Sequence, residues 1–337
     1  MNFSTLKTMK STLKNAAITA ALFGVATFAN ADTYVGGQFV FSGKNVYGPS
    51  VINDGGYQMW HSAWQDNWVV NDTIYYRTST DNVTWTNAVA VYSPQELEAA
   101  VPSLAGLIEH VTDPSVTKHI NGVTGQVQYT MFFTVCKRTS VSTPCDVQSG
   151  NEIWSAVSSD GQHWFYPQAL ITGSSGHWAS EPSAVIDPQP NGTFWKVYYD
   201  DRTDSSKVKM VGVGGNRSVV YDYGAVLTSS PPVTLANPEV KYFNGQWHLF
   251  ANHYTSNGQL ANIYKVQSSS NESFDFNAAQ GVVMNAGVPY CGTVAPGVLP
   301  VGGNQYDIYF GLIENNQPGA TCNMAANTNM VRFRFAE

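Results

Sequence analysis

The sequence has 337 residues, with 17 Lys and Arg against 24 Asp and Glu and a formal net charge of −7. Without a basic stripe the chain cannot gain the counterion-release energy that dominates nucleic-acid binding, so nucleic acid is not an expected partner. Charged residues make up only 12% and aromatics 13%, with 29 glycines, a balance that favours short strands, tight turns and uncharged polar ligands.

The first segment reads as a leader. Lys7, Lys10 and Lys14 precede an apolar run from Ala16 to Ala29, and Ala29-Asn30-Ala31 supplies a small-x-small cleavage site. A basic head, an apolar centre too short to span a bilayer and such a site make a secretory signal. Residues 1–31 are therefore expected to be removed, leaving 32–337 as one secreted or periplasmic domain. No later stretch is apolar enough to cross a membrane, and a monomer without a membrane partner is expected.

From there the chain returns five times to one pattern: a Pro, a short apolar run, a Gly-rich turn and an aromatic strand. The five starts are Gly48-Pro49-Ser50-Val51, Asp113-Pro114-Ser115-Val116, Glu181-Pro182-Ser183-Ala184, Asn237-Pro238-Glu239-Val240 and Ala295-Pro296-Gly297-Val298. Successive prolines lie 65, 68, 56 and 58 residues apart, a period suited to a four-stranded blade with long loops. The expected fold is an all-β, five-bladed β-propeller of four-stranded antiparallel blades around a central channel.

Turns such as Asn121-Gly122 and Asn244-Gly245 separate strands one and two. The second strands are aromatic: Tyr57-Gln58-Met59-Trp60, Tyr129-Thr130-Met131-Phe132, Trp195-Lys196-Val197-Tyr198, Trp247-His248-Leu249-Phe250 and Tyr306-Asp307-Ile308-Tyr309. After strand three, Ser79 to Trp85 and Ser158 to Trp164 spell a turn whose Asp caps the backbone and whose Trp packs between blades. The fifth blade lacks room for a fourth strand after Arg334, so Tyr34 to Phe41 is expected to complete it.

Up-down strand order puts the blade starts and the loops between strands two and three on one face, the mouth. Four cysteines in an exported chain read as two disulfides. All four fall on the mouth, which favours the local pairs Cys136–Cys145 and Cys291–Cys322. The same face collects candidate substrate-binding residues: Trp60, His61 and Trp64, then His177 and Trp178, then Asp200 and Arg202, then Asn252, His253 and Glu314. Aromatic platforms beside Asp, Glu, Asn and Arg suit a sugar, whose C–H face packs on rings while its hydroxyls exchange hydrogen bonds. Poly- or oligosaccharide is the expected partner. The histidines are scattered without metal-ligand spacing, so no metal and no cofactor is expected.

These motifs resemble the five-bladed propeller superfamily that includes the family-43 glycoside hydrolases, relatives of which act on arabinan, xylan and fructan. The resemblance covers nearly the whole of 32–337. It implies three channel acids at blade starts: a base or nucleophile Asp, a second Asp that tunes pKa, and a Glu that protonates the leaving group. Asp113 resembles the second Asp and Glu181 the Glu, so these two are the catalytic candidates. Gly48 stands where the first Asp belongs. Asp54 lies in a turn on the other face, while Asp66, Asp200 or Glu314 could substitute from the mouth. Three readings stay open: a glycoside hydrolase, a non-catalytic carbohydrate-binding propeller, and a scaffold or adhesin whose mouth binds protein.

Overall fold

The computed structural model describes residues 32–64, 71–145, 150–172, 179–187, 194–201, 208–228, 235–254, 260–283, 290–314 and 327–337, with backbone alone at 228, 254, 260–261, 290–292, 314 and 327. The leader lies outside the described residues. Strand β1 (Thr33–Lys44) comes first and belongs to the last blade. Blade one holds β2 (Tyr47–Asn53), β3 (Tyr57–Trp64), β4 (Asp72–Ser79) and β5 (Val89–Tyr92), and blade two holds β6 (Ile108–Ile120), β7 (Val127–Lys137), β8 (Asn151–Ser158) and β9 (Phe165–Ile171). Blade three is β10 (Ala179–Ile186), β11 (Trp195–Asp201), β12 (Val208–Val213) and β13 (Val219–Thr228). Blade four is β14 (Leu235–Phe243), β15 (Gln246–Tyr254), β16 (Leu260–Ser268) and β18 (Gln280–Val283), between which β17 (Phe274–Asp275) leaves to pair in parallel with β13. Blade five is β19 (Tyr290–Gly302), β20 (Gln305–Glu314), β21 (Asn327–Ala336) and β1, which runs antiparallel to β21.

The five-bladed propeller expected from the repeats is thus the fold, and the strand expected over Tyr34 to Phe41 does close it. Two features were not expected. A short helix, α1 (Pro94–Ala100), links blades one and two behind a capping box in which Ser93 Oγ accepts from Glu96 N–H and Glu96 Oε2 accepts from Ser93 N–H. Blade three also gains β17 as a fifth strand, because Phe274, in the Trp position of the turn after strand three, inserts into the core between blades three and four.

The turns after strand three behave as the sequence implies. Asp81 Oδ1 accepts from Val83 and Thr84 N–H, and Asp160 Oδ1 accepts from Gln162 and His163 N–H. Trp164 is buried in the core between blades one and two, where Trp60 Nε1 donates to Gly161 carbonyl oxygen at 2.7 Å. Each aromatic of this size removes roughly 150–250 Å² from water, an upper estimate of about 4–6 kcal/mol.

The first strands form the inner ring, each touching the first strand of the next blade. A repeated hydrogen bond ties them. Ser50, Ser115 and Ser183 Oγ accept from Val116, Ala184 and Val240 N–H of the following blade, each at 2.9 Å. In blade four Glu239 replaces the serine, and its Oε1 accepts from Val298 N–H at 3.3 Å. At the last seam Gly297 has no side chain, and its Cα lies so close to Pro49 that an added Cβ would collide with the Pro49 carbonyl.

Away from the channel, Lys265 is fully buried between Asp32 and Glu337, with its Nζ 2.9 Å from Glu337 Oε1 and also paired with Asp32. Removing one partner of a buried ion group leaves uncompensated charge. Lys265→Met is therefore expected to cost about 3–5 kcal/mol, read as a lowered urea midpoint at unchanged m-value.

Candidate functional site

The site begins with backbone geometry. Gly48, Asp113, Glu181, Asn237 and Ala295 all adopt left-handed φ, at 58°, 51°, 58°, 52° and 48°. In each blade the register between strands one and two slips at this residue and its proline, so each is a β-bulge. Glycine takes this conformation freely and Asn tolerates it; elsewhere in the ring it costs up to about 1–2 kcal/mol. The bulge turns the residue before proline toward the axis.

Polar side chains at the mouth end of strand two hold the bulges in place. Ser62 Oγ accepts from Asp113 N–H at 2.9 Å, Thr134 Oγ1 from Glu181 N–H at 2.8 Å, and Asn252 Oδ1 from Ala295 N–H at 2.9 Å. Asn237 N–H donates instead to Glu181 Oε2 at 2.6 Å. The five bulge residues, the prolines after them and Glu239 line one cavity of about 30 Å³. That space holds a water or two, far below the roughly 300–1,000 Å³ of ligand pockets, so the ring of bulges forms a floor rather than a sugar pocket. Asp113 is buried in this floor and Glu181 is partly exposed.

Four candidate substrate-binding residues stand elsewhere. Trp60 is fully buried between blades one and two. His61 is 1% exposed between Phe41 and Tyr75, and its Nε2 accepts from Arg77 Nε at 3.2 Å. Asn252 is a strut to blade five, with Nδ2 also donating to Thr293. Asp200 is buried on β11 at the position matching Ser62, Thr134 and Asn252. The reason is common to all four: they are second-strand residues, one strand spacing outside the ring, and both faces of a blade are covered by neighbours.

Trp64 and His253 close second strands at the mouth, half-buried and outside the floor cavity, with the His253 ring set edge-on to Tyr264 at 5.8 Å. His177, Trp178, Arg202, Asp66 and Cys322 lie outside the described residues, as do the side chains of Glu314 and Cys291. The Cys136–Cys145 disulfide is present, with Cα atoms 5.9 Å apart, and the Cys145 N–H is held by Glu109 Oε2. Asp54 sits on the opposite face, paired with Lys118. Among the described residues no group of three or more His, Cys, Asp or Glu is placed to hold a metal ion, and no helix is long and apolar enough to cross a membrane.

The sequence reading missed Glu239 as a third carboxylate of the floor. It accepts from Ser183 Oγ at 2.8 Å and pairs with Lys241 at 2.8 Å. Its signal was available, since it is the single acid at a position that is otherwise Ser or Gly across the five repeats.

No family model and no curated relative matches the chain. Among solved structures it is similar to an exo-β-1,3-galactanase from Phanerochaete chrysosporium with β-1,3-galactotriose, at TM-score 0.61 and 14% identity over 90% of this chain and 64% of that one. It therefore spans just under two thirds of that galactanase. It is also similar to native arabinanase from Bacillus subtilis, at TM-score 0.60 and 14% identity over 89% of this chain and 97% of that one. A GH43 endo-arabinanase from Bacillus licheniformis gives TM-score 0.57 and 15% identity, covering 88% and 96%. At these identities the likeness is one of fold, the five-bladed propeller.

Proposed function

We propose that this family-43-type propeller is an exported glycoside hydrolase acting on a poly- or oligosaccharide, with Glu181 as proton donor and Asp113 as the carboxylate beside it. One observation carries the reading: Asp113 and Glu181, from adjacent blades, line the same narrow floor from backbone positions that are costly for both. Glycoside cleavage needs one carboxyl to protonate the leaving oxygen and a second carboxylate to act across the anomeric carbon. Glu181 fills the first role with Asp113 beside it as the modulating acid, while a mouth carboxylate for the second role and the sugar rings themselves would stand above the floor. The names of the similar structures, galactanase and arabinanase, support a glycan substrate.

The test is release of reducing sugar from arabinan, β-1,3-galactan, xylan and fructan by wild type and by Glu181→Gln. A general acid contributes about 10²–10⁴-fold, so the variant should lose that much of the rate on whichever glycan the wild type cleaves. Equal rates would remove Glu181 from the mechanism.

A second reading has its own support. Glu181 Oε2 is engaged by Asn237 N–H, and blade one offers no side chain at Gly48, which fits a propeller that binds glycan without cleaving it. Glycan binding without turnover would favour it. Export in either case rests on the leader over residues 1–31, and an exported product beginning at Asp32 on N-terminal sequencing is the expected result.

A further inference from the structure

The turn after strand three ends on an aromatic in three blades, and the three rings do not share one fate. Trp164 and Phe274 are 8% and 2% exposed, each sunk between its own blade and a neighbour. Trp85, at the same point in blade one, stays half-buried. Tyr57, the first residue of β3, is half-buried too, and the two residues line one open cleft of about 470 Å³ at the end of blade one opposite the mouth. That volume falls inside the roughly 300–1,000 Å³ typical of ligand sites, where the channel floor does not.

Ring carbon and hydroxyl are what this cleft presents. The Trp85 Nε1 atom is buried while the ring as a whole is only half so, and the indole therefore meets the cleft with carbon. Its inner side is fixed by Tyr309, set edge-on at 6.1 Å. Thr80 and Thr84 are exposed and line the same space. Among the described residues that line it Asp54 alone is charged, and Lys118 meets that charge. The wall stands ready before any ligand arrives. Asn82, buried at the tip of the turn, donates from Nδ2 to Asp307 Oδ2 at 2.7 Å, its Oδ1 accepts from the Tyr309 hydroxyl, and its carbonyl oxygen accepts from Arg332 Nη1 at 2.5 Å. Thr86 ties the other side back to β4, its Oγ1 accepting from Thr78 N–H at 2.9 Å. A loop pinned to blade five in this way needs little further ordering when something binds against it.

We propose that this cleft is a second carbohydrate site, taking one stretch of a neutral polysaccharide. The sugar's C–H face packs on Trp85 and Tyr57 while its hydroxyls exchange hydrogen bonds with Thr80 and Thr84. Packing alone does not account for the cleft, because an aromatic needed only for the core sinks as Trp164 and Phe274 do. Tyr57 opens β3 and Trp64 closes it at the mouth; at ~3.3 Å per residue they stand roughly 20 Å apart, so the cleft holds a different stretch of chain from anything above the floor. The site goes beyond the hydrolase reading and uses no residue of the mouth.

The test is retardation of the full chain in cold native gels cast with arabinan, β-1,3-galactan, xylan or fructan, with each variant's fold checked by near-ultraviolet circular dichroism. At least one of the four should retard the wild type. In that gel Tyr57→Ala and Trp85→Ala should each weaken apparent affinity about fivefold or more, since each strips away a ring that the sugar covers. Thr80→Arg, a surface change of small effect on stability, puts a long charged side chain at the cleft and should weaken binding as much. Tyr166→Ala removes a ring that is 76% exposed on blade two, outside the cleft, and should leave retardation unchanged. Absence of retardation in all four gels overturns the proposal. So does retardation that folded Tyr57→Ala and Thr80→Arg leave unaltered, which would put all the binding at the mouth. Should Trp85→Ala unfold for want of its contact with Tyr309, Thr80→Arg decides. Wild-type retardation lost in Thr80→Arg, with no sugar released from any of the four glycans, would remove the hydrolase reading and leave this site standing.

Discussion

Gly297→Ala is expected to destabilise the propeller more than any other single methyl group added to the inner ring. At four seams a Ser or Glu side chain spaces neighbouring first strands, and its oxygen takes the next blade's N–H. At the seam between blades five and one, Gly297 meets Pro49 backbone to backbone, and a Cβ would overlap the Pro49 carbonyl. Overpacking a core typically costs 1–3 kcal/mol when side chains can yield. Here the obstacle is main chain at the closing contact of a ring, so a loss of about 3 kcal/mol or more is expected, several degrees in Tm for a chain of this size. Urea unfolding measures it, with Gly36→Ala, which meets nothing within 4 Å, as the neutral control.

Acidification is the second large effect, and His61 is its main single source. Burial first, and the Arg77 charge second, lower its pKa from 6.5 to about 3. Above pH 6.5 the imidazole is neutral whether the chain is folded or not, and it costs nothing. Between pH 6.5 and 3 the unfolded chain takes up a proton that the folded chain refuses, so stability falls by up to about 1.4 kcal/mol per pH unit, roughly 4–5 kcal/mol in all. Burial also lowers His119, His248 and His253, which adds to the slope in the same sense. His61→Gln keeps an acceptor for Arg77 and has no proton to gain. Its urea midpoint should fall less than the wild type's between pH 7 and pH 4; parallel curves would show that the loss arises elsewhere.

The blade count and the identity of the channel residues were legible because proline marks one backbone event five times over. What the spacing did not convey was the left-handed turn at each mark, since nothing in Asp113, Glu181 or Ala295 advertises positive φ, and only Gly48 and Asn237 are residues at home there. Trp60, His61, Asp200 and Asn252 were misplaced for a related reason. Alternation along a strand says which residues share a face, but in a blade covered on both sides it cannot say that only the innermost strand meets the channel. Glu239 was visible as an exception to a serine pattern whose purpose, spacing the inner ring, emerges only once neighbouring blades are side by side.

The pairing of β1 with β21 has a consequence for how the molecule comes into being. Thr33 to Lys44 emerges before any blade exists, and its hydrogen-bonding partner is made almost three hundred residues later. Until then its edge stays unsatisfied and can template the wrong neighbour. A contact of such long sequence separation also makes the final step of assembly slow. A helper protein that shields this segment during synthesis would therefore raise the yield of finished rings without touching any residue of the mouth.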